Sequence, residues 1–231
     1  MPSTKKTLHF LSSALVTSIS VGVMGYGMST QWARTAMECT AAGSSFTNGT
    51  AEITLELFAG YMNRTFCPLF GGYDPFKVIP KLTETGVTPL VLHVLVLCLL
   101  AICLLFSAGS ILISLYNSVS NPYETYMGPA GVYACSSISA CLSVVVLIIF
   151  VVNVNLTNMA EDLVENFADA IPVDLRNKSS KMLLGYYLII PYTVLSLLAI
   201  ALIYMYDHAA YTHRREQQRP TEDAPKEIMM Y

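Results

Sequence analysis

Residues 88–114 read TPLVLHVLVLCLLAICLLFSAGSILIS, and this stretch decides the class of fold. It contains no Asp, Glu, Lys or Arg. The hydrocarbon core of a bilayer is about 30 Å thick, so a helix that rises about 1.5 Å per residue crosses it in roughly 20 residues. Other charge-free stretches of similar length occur along the chain. We therefore predict transmembrane helices at residues 8–29, 88–114, 130–152 and 184–206.

The composition agrees with a chain that lies largely in lipid. Of the 231 residues, 54% are hydrophobic and 13% are charged, whereas a soluble domain carries about 25% charged residues. The net charge of -3 is spread without a basic patch, which argues against a nucleic-acid partner. No nucleotide, phosphate-loop or zinc motif occurs, and no nucleophile, base and orienting residue can be assembled. The sequence predicts an all-α membrane protein, a four-helix transmembrane bundle, with no catalytic, cofactor or metal site.

The first apolar segment has two interpretations. It follows Lys5 and Lys6, and a basic start before an apolar stretch also begins a secretory signal peptide. Gly27, Met28 and Ser29 would fit the cleavage site of such a peptide. The length of the segment favours a retained transmembrane helix, and cleavage is the alternative.

N-glycosylation sequons indicate which loops face outward. They begin at Asn48, Asn63, Asn155 and Asn177. All of them fall in residues 30–87 or 153–183, so we predict that these two loops are extracellular. Asn48, Asn63 and Asn177 are the main candidates for glycosylation, because Asn155 lies close to the lipid headgroups.

The remaining segments, residues 1–7, 115–129 and 207–231, then lie in the cytoplasm. Basic residues of the two tails lie near the spans, in agreement with the positive-inside rule. The expected location is the plasma membrane, crossed several times, with both termini cytoplasmic. Residues 207–231 are polar and contain Pro220 and Pro225, so we expect a disordered tail.

The carboxyl terminus fits the ligand of a PDZ domain. Tyr231 is the last residue, and Met229 lies two residues before it. A PDZ groove takes such an end as an added strand and binds its free carboxylate. We expect a PDZ scaffold as a partner; a trafficking signal is the alternative.

The first loop contains a clear strand pattern. Apolar and polar residues alternate along residues 52–57, which places Ile53, Leu55 and Leu57 on one face. A single strand is marginal by itself, so we predict a small antiparallel sheet on the outer helix ends, with residues 31–39 as a second strand. Trp32 would lie at the membrane interface with one edge in water.

Two cysteines lie outside the predicted spans. Cys39 and Cys67 both fall in the first loop, where an oxidising exterior favours pairing. A disulfide across this loop would stabilise the fold by about 3 to 4 kcal/mol. We therefore predict that the two residues pair.

The second loop begins with a helical pattern. Met159, Leu163 and Phe167 recur every four residues, and Pro172 ends the pattern. We expect this apolar stripe to pack against the first-loop sheet.

The spans themselves are rich in small residues. Ser18, Gly22, Gly25 and Ser29 form one face of the first helix, which allows close approach of another helix. Packing within the chain would account for this face, and other membrane proteins are the alternative partner. Pro191 predicts a kink or local unwinding in the fourth helix.

The segment between the second and third spans carries prolines, glycines and an aromatic residue in a distinctive order. These residues are Pro122, Glu124, Gly128, Pro129, Gly131 and Tyr133. The segment resembles the most recognisable motif of the clarin family. The Met1-Pro2 start and residues 57–60 are also similar to clarins. The residues around Arg219 and Pro220 are most similar to the third paralogue of that family.

The resemblance implies a four-span membrane glycoprotein related to claudins and tetraspan proteins, in a family associated with sensory cells and hair-cell bundles. The first loop, with Trp32, Cys39 and Cys67, looks like the claudin pattern. Residues 56–58 match the claudin signature only in part.

These observations favour a non-enzymatic organiser or accessory subunit of membrane complexes. Its partners would be the lipid bilayer and other membrane proteins, which it would contact through its helix faces. The alternative is a claudin-like adhesion protein or paracellular pore.

Overall fold

The computed structural model describes residues 4–41, 49–67, 71–119, 127–168 and 173–218. Its long helices are α1 (Thr4–Met28), α3 (Val87–Val119), α4 (Gly128–Leu156) and α7 (Ile189–Gln218). The last is preceded by a short helix α6 (Leu184–Tyr187). Four segments of the described chain are long and apolar enough to cross a membrane, the fourth being Leu184–Ala209.

The helices form a bundle in which each has two main neighbours. Helix α1 packs against α3 and α7, and α4 packs against the same two helices. Helices α3 and α4 extend beyond their predicted spans at both ends, α1 only at its start, and α7 only at its end. Hydropathy marks the part of a helix that lies in lipid, but the backbone hydrogen bonds continue until a residue breaks them.

The tail prediction is wrong for residues 207–218, because these residues continue α7. The segment contains no Pro or Gly, and Ala, Arg, Glu and Gln favour a helix. Pro220 lies just beyond the end of α7, and helices usually end at or before the residue that precedes a proline. Residues 219–231 lie outside the described residues.

A kink or local unwinding was predicted from Pro191, and the helix of the fourth span is interrupted at Leu188, between α6 and α7. Pro191 has no N–H to donate to the carbonyl of Tyr187, and its ring would clash with that carbonyl in a regular helix. The break therefore occurs one turn before the proline.

A five-stranded antiparallel sheet lies at one end of the bundle, which we call the sheet end. Its strands are β1 (Ala33–Ala41), β2 (Gly49–Leu55), β3 (Ala59–Thr65), β4 (Gly72–Lys77) and β5 (Val173–Met182). Their order across the sheet is β4-β3-β2-β1-β5. Ala33 pairs with Leu55, so the two strands predicted from the first loop do lie side by side.

The small sheet was expected from the first loop alone, and this expectation is incomplete. Strand β5 comes from the second loop and pairs with β1, from Ala33 with Met182 to Ala41 with Val173. A bulge interrupts this pairing, and Asn177 takes a φ of 53° there. The sheet therefore joins the two loops into one structure.

Two short helices cover the inner face of the sheet. Helix α2 (Val78–Thr85) follows β4, and α5 (Met159–Phe167) follows α4. Met159 and Leu163 are buried as predicted, and Leu82 of α2 is buried with them. Pro172, which was expected to end the α5 pattern, lies outside the described residues. The apolar core runs without interruption from these helices and the sheet into the bundle.

Candidate functional site at the junction of sheet and bundle

Trp32 lies where the sheet meets the bundle. Its Nε1–H donates a hydrogen bond to the carbonyl oxygen of Gly27 in α1, at 2.9 Å. Its ring meets the Phe150 ring of α4 edge-on, with centroids 4.9 Å apart. Its backbone N–H donates to Leu55 O, and its carbonyl accepts from the N–H of Leu183. One residue therefore connects α1, α4, β2 and the start of the fourth span.

The prediction of a wet edge on Trp32 is wrong, because 0% of the residue is exposed. Gly185 makes room for the ring, and Gly27 accepts its hydrogen bond. A Cβ on Gly185 would lie 2.5 Å from Trp32 Cδ1, and Gly27 offers its carbonyl from the facing helix. The indole N–H is satisfied by protein instead of by interfacial water.

His93 ties the second span to the first loop. It is buried in α3, and its Nε2–H donates to the carbonyl oxygen of Leu57 at 2.8 Å. Leu57 follows β2 and is itself fully buried. The histidine thus holds the turn between β2 and β3 against the bundle.

Two cationic side chains, those of Arg64 and Lys81, hold α5 against the β4 edge of the sheet. Arg64 donates to Asp74 Oδ2 at 2.6 Å and to the carbonyl oxygen of Phe167 at 2.7 Å. Lys81 Nζ lies 4.4 Å above the centre of the Phe167 ring, and Phe76 packs against the same ring at 5.5 Å. Cation–π contacts of this kind add to the apolar packing. The second loop is therefore anchored at both edges of the sheet.

Cys39 and Cys67 are joined by a disulfide, with their Cα atoms 5.6 Å apart. Both residues are buried. The bond links the end of β1 to the segment after β3, across β2. Gly49 lies between them, and a Cβ there would sit 2.1 Å from Phe66 O, so only glycine allows this crossing.

Asp162 lies on the exposed side of α5, outside the membrane-spanning helices. Partial burial raises the pKa of its carboxyl, and the neighbouring carboxylate of Glu161 raises that pKa further. The positive charge of Lys178 lowers the pKa of Asp162. Lys178 also binds Glu161, with a distance of 2.8 Å from Nζ to Oε2. This ion pair fixes β5 to α5.

Inside the bundle, hydroxyl groups bond to one another across three helices. Tyr192 of α7 contacts Ser107 of α3 at 2.8 Å and also bonds to Ser139 of α4. Ser143 of α4 meets Thr193 of α7 at 2.7 Å. Such interhelical hydrogen bonds satisfy polar groups that lipid cannot.

An apolar layer separates this hydroxyl cluster from the sheet end. It consists of Met24, Leu100, Val146 and Phe150, each fully buried. These side chains belong to the apolar core that the bundle shares with the sheet.

The small-residue face of α1 points away from the bundle. Ser18, Gly22, Gly25 and Ser29 are all exposed, and a Cβ on either glycine would meet no atom within 4 Å. The expectation that packing within the chain uses this face is therefore wrong. Helical periodicity defines a face, but lipid and protein interior are both apolar, so it does not tell which of them the face meets.

The sequon asparagines that lie within the described residues are exposed. Asn63 lies on β3 and Asn177 on β5, both on the outward face of the sheet. Asn177 Nδ2 donates to Glu38 Oε2 at 2.8 Å. Asn155 lies in the last turn of α4, and Asn48 lies outside the described residues.

Part of the motif between the second and third spans opens α4. Gly128 has a φ of 44°, and Pro129 occupies the first turn of the helix. A Cβ on Gly131 would lie 3.1 Å from Ile113 Cδ1, so this glycine lets α3 approach. Tyr133 lies about one turn after Pro129, is half-buried, and packs against the cluster of Phe10, Val132 and Ile203. The other motif residues, Pro122 and Glu124, and the tail residues Met229 and Tyr231 lie outside the described residues.

No three His, Cys, Asp or Glu side chains come together as metal ligands within the described ranges. Gly27 was singled out from the sequence only as part of a possible cleavage site, and Gly185 and Tyr192 were not singled out. The sequence offers two glycines and a tyrosine within apolar stretches, and nothing in such a pattern says that they meet Trp32 or the serines of other helices.

The chain is similar to known proteins over its whole length. A family model described as Clarin-2-like matches residues 4–175. The chain is 31% identical to Clarin-3 of Homo sapiens and 34% identical to Clarin-3 of Rattus norvegicus, with 100% of each chain covered. It is 26% identical to Clarin-1 of Homo sapiens over 70% of this chain and 72% of that protein. Together with the four apolar helices, these matches show that the chain is a multi-pass membrane protein that belongs to the clarin family.

Proposed function

We propose that this chain is a non-enzymatic organiser or accessory subunit of complexes in the plasma membrane. The observation that carries the proposal is the exposed face of α1. Ser18, Gly22, Gly25 and Ser29 offer a smooth surface that no other part of the described chain covers. Close backbone approach is the main way in which helices associate in lipid, and small residues permit it.

The test is a pair of substitutions on this face. Gly22→Leu with Gly25→Leu adds bulk where the chain itself has open space, so the fold is retained. We expect lateral crosslinks to neighbouring membrane proteins in cells to be lost. Ala108→Leu, at an exposed position of α3, is the matched control and should leave them unchanged. Equal crosslinking in the wild-type chain, the double glycine variant and Ala108→Leu would refute the role of α1.

The proposed topology places both termini in the cytoplasm and the sheet outside the cell. It is supported by the position of Asn63 and Asn177, whose side chains are exposed on the outward face of the sheet. Removal of each sequon asparagine in turn, followed by glycosidase treatment and gel electrophoresis, measures the occupancy of Asn48, Asn63, Asn155 and Asn177. Lack of any glycan on the chain made in mammalian cells would contradict this topology.

The carboxyl terminus is a proposed ligand for a PDZ scaffold through Met229 and Tyr231. One glycine added after Tyr231 should abolish binding, because the groove needs the terminal carboxylate. Binding that survives the extra glycine would exclude terminal capture. By family resemblance, we also propose that the complexes lie in sensory membranes such as those of hair cells, which immunolocalisation tests.

The second candidate is a claudin-like adhesion protein or paracellular pore. It is supported by the charged residues on the outward face of the sheet, where Arg34 pairs with Glu52 at 3.2 Å. Charged rings set ion selectivity in pores. Electrical conductance across layers of expressing cells separates the candidates, since an organiser alone leaves the conductance unchanged.

A further inference from the structure

The outward face of the sheet carries an open cleft next to one sequon. The cleft has a volume of about 400 Å³ and is lined by Arg34, Glu52, Tyr61, Asn63 and Tyr73, among others. This volume lies within the roughly 300 to 1,000 Å³ of small-molecule clefts. The sequon asparagine is thus part of the wall of the cleft.

Two aromatic rings lie beside this asparagine. Tyr73 is directly opposite Asn63 in the β3–β4 pairing, and Tyr61 precedes Asn63 by two residues on the same face. The two rings stack with their centroids 5.6 Å apart and an angle of 19° between their planes. Tyr73 is 63% exposed, so much of its ring is open to solvent.

Polar groups complete the surroundings on the other side. Glu52 is the β2 residue paired with Asn63, and it forms an ion pair with Arg34. An aromatic surface with carboxylate and guanidinium groups beside it suits a sugar ring, whose faces carry C–H groups and whose edges carry hydroxyl and acetamide groups. The cleft therefore combines a covalent attachment point with a surface for the attached group.

We propose that Asn63 carries an N-glycan and that its innermost N-acetylglucosamine packs on Tyr61 and Tyr73 as a structural part of the sheet. In the attachment reaction, Nδ2 of Asn63 loses a proton and bonds to C1 of the donor sugar while the lipid-linked diphosphate leaves. The proposal rests on the outside location of the sheet proposed above.

Asn177 provides a matched control in the same sheet. It is exposed, and its neighbours in the surrounding clefts include Glu38, Met37 and Lys178 but no aromatic side chain among the described residues. A glycan at Asn177 would therefore extend into solvent without a ring to pack on. Besides lacking aromatic neighbours, Asn177 lies at the β5 bulge and donates a hydrogen bond to Glu38.

The first experiment is a mutant cycle on the full-length chain made in mammalian cells. Thr65→Ala removes the Asn63 sequon, and Tyr73→Thr removes the more exposed ring. We expect Thr65→Ala to lower the Tm by about 2 to 4 °C in the wild-type chain and by much less in the Tyr73→Thr chain. Ser179→Ala, which removes the Asn177 sequon, should shift the Tm by the same small amount in the wild-type chain and in the Tyr73→Thr chain. An equal loss from Thr65→Ala in both backgrounds would overturn the proposal.

The second experiment does not depend on stability. Peptide N-glycosidase acting on the native protein should release the Asn63 glycan several-fold more slowly than the Asn177 glycan, and Tyr73→Thr should remove this difference. Equal rates in the wild-type chain would overturn the packing. A glycan at Asn177 with none at Asn63 also overturns it while the topology stands, whereas the absence of both contradicts the topology itself.

Discussion

At the scale of single residues, the fold depends on glycines at positions where a larger residue would collide with its neighbours. Gly185 leaves space for the ring of the fully buried Trp32, and Gly27, which accepts the indole hydrogen bond, lets Leu188 and Gly185 approach α1. The sequence shows a tryptophan near a membrane boundary, for which an interfacial position is the usual expectation. The pairing of two distant glycines around it depends on the packing of three helices, which no local pattern records.

Gly185→Ala should destabilise the protein. The added Cβ would lie 2.5 Å from Trp32 Cδ1 and 2.8 Å from Gly27 O, so the ring or the helix must shift. Overpacking of this kind costs about 1 to 3 kcal/mol. Thermal unfolding in detergent measures the loss. Gly22→Ala, where the new methyl group meets nothing within 4 Å, is the control and should lose no stability.

Lys6→Met should raise the stability. Lys6 is 4% exposed, and its Nζ has no hydrogen-bond partner among the residues that the structure describes. A desolvated polar group without a partner costs about 1 to 3 kcal/mol, and methionine fills a similar volume without that cost. The melting temperature checks this, with Lys5→Met at an exposed position as the control. A lower Tm for Lys6→Met would show that the ammonium stabilises the fold.

At the scale of elements, the four spans, α5 and the first two strands are readable from the sequence, and α2 and the remaining strands are not. Long charge-free stretches and the alternation along residues 52–57 reflect strong physical constraints. Strand β4 contains Pro75, which is unusual in a strand, and β5 loses its alternation at the Asn177 bulge. These strands form because they pair with residues far apart in the chain, and such pairing leaves no local sequence pattern.

Removal of the Cys39–Cys67 disulfide tests the link across β2. Cys39→Ser with Cys67→Ser frees a segment that spans 28 residues between the two positions. We expect a loss of about 3 to 4 kcal/mol in unfolding free energy, since the unfolded chain gains freedom. Cys98→Ala, at an exposed position in α3, should change stability little. An unchanged melting temperature after loss of both thiols would contradict the prediction.

Tyr192→Phe tests the hydroxyl cluster between the helices. It removes the bonds from the tyrosine hydroxyl to Ser107 and Ser139, while these two serines keep a contact of 3.2 Å with each other. Interhelical hydrogen bonds of this type contribute about 1 kcal/mol each or less, so we expect a loss of about 1 kcal/mol. Tyr187→Phe, at an exposed position, is the control. The free energy of unfolding in mixed micelles measures both.

At the scale of the whole molecule, the sheet and the bundle share one apolar core. Ile53 of the sheet, Leu163 of α5 and Phe150 of α4 all belong to it. Sequence reasoning could predict two separate layers, spans and outer sheet, from hydropathy and alternation. It could not predict that the core is continuous, because that depends on Trp32 filling the junction.

A shared core predicts that sheet and bundle unfold together. Trp32 is the one tryptophan of the chain and lies at the junction, so its fluorescence reports the contact between the two layers. Circular dichroism at 222 nm reports mainly the helices. The two signals should change with the same midpoint on heating, as expected of a cooperative unit. A tryptophan transition well below the loss of helix would show that the layers separate first.

The pairing of β1 with β5 also sets an order of events during synthesis. Cys39 and Cys67 leave the ribosome early, so their bond can close while the third span is still being made. In the topology proposed above, strand β1 keeps one edge open until residues 173–182 have also crossed the translocon. During that interval the proposed topology exposes a strand edge in the lumen, where a chaperone that binds extended segments would find its substrate.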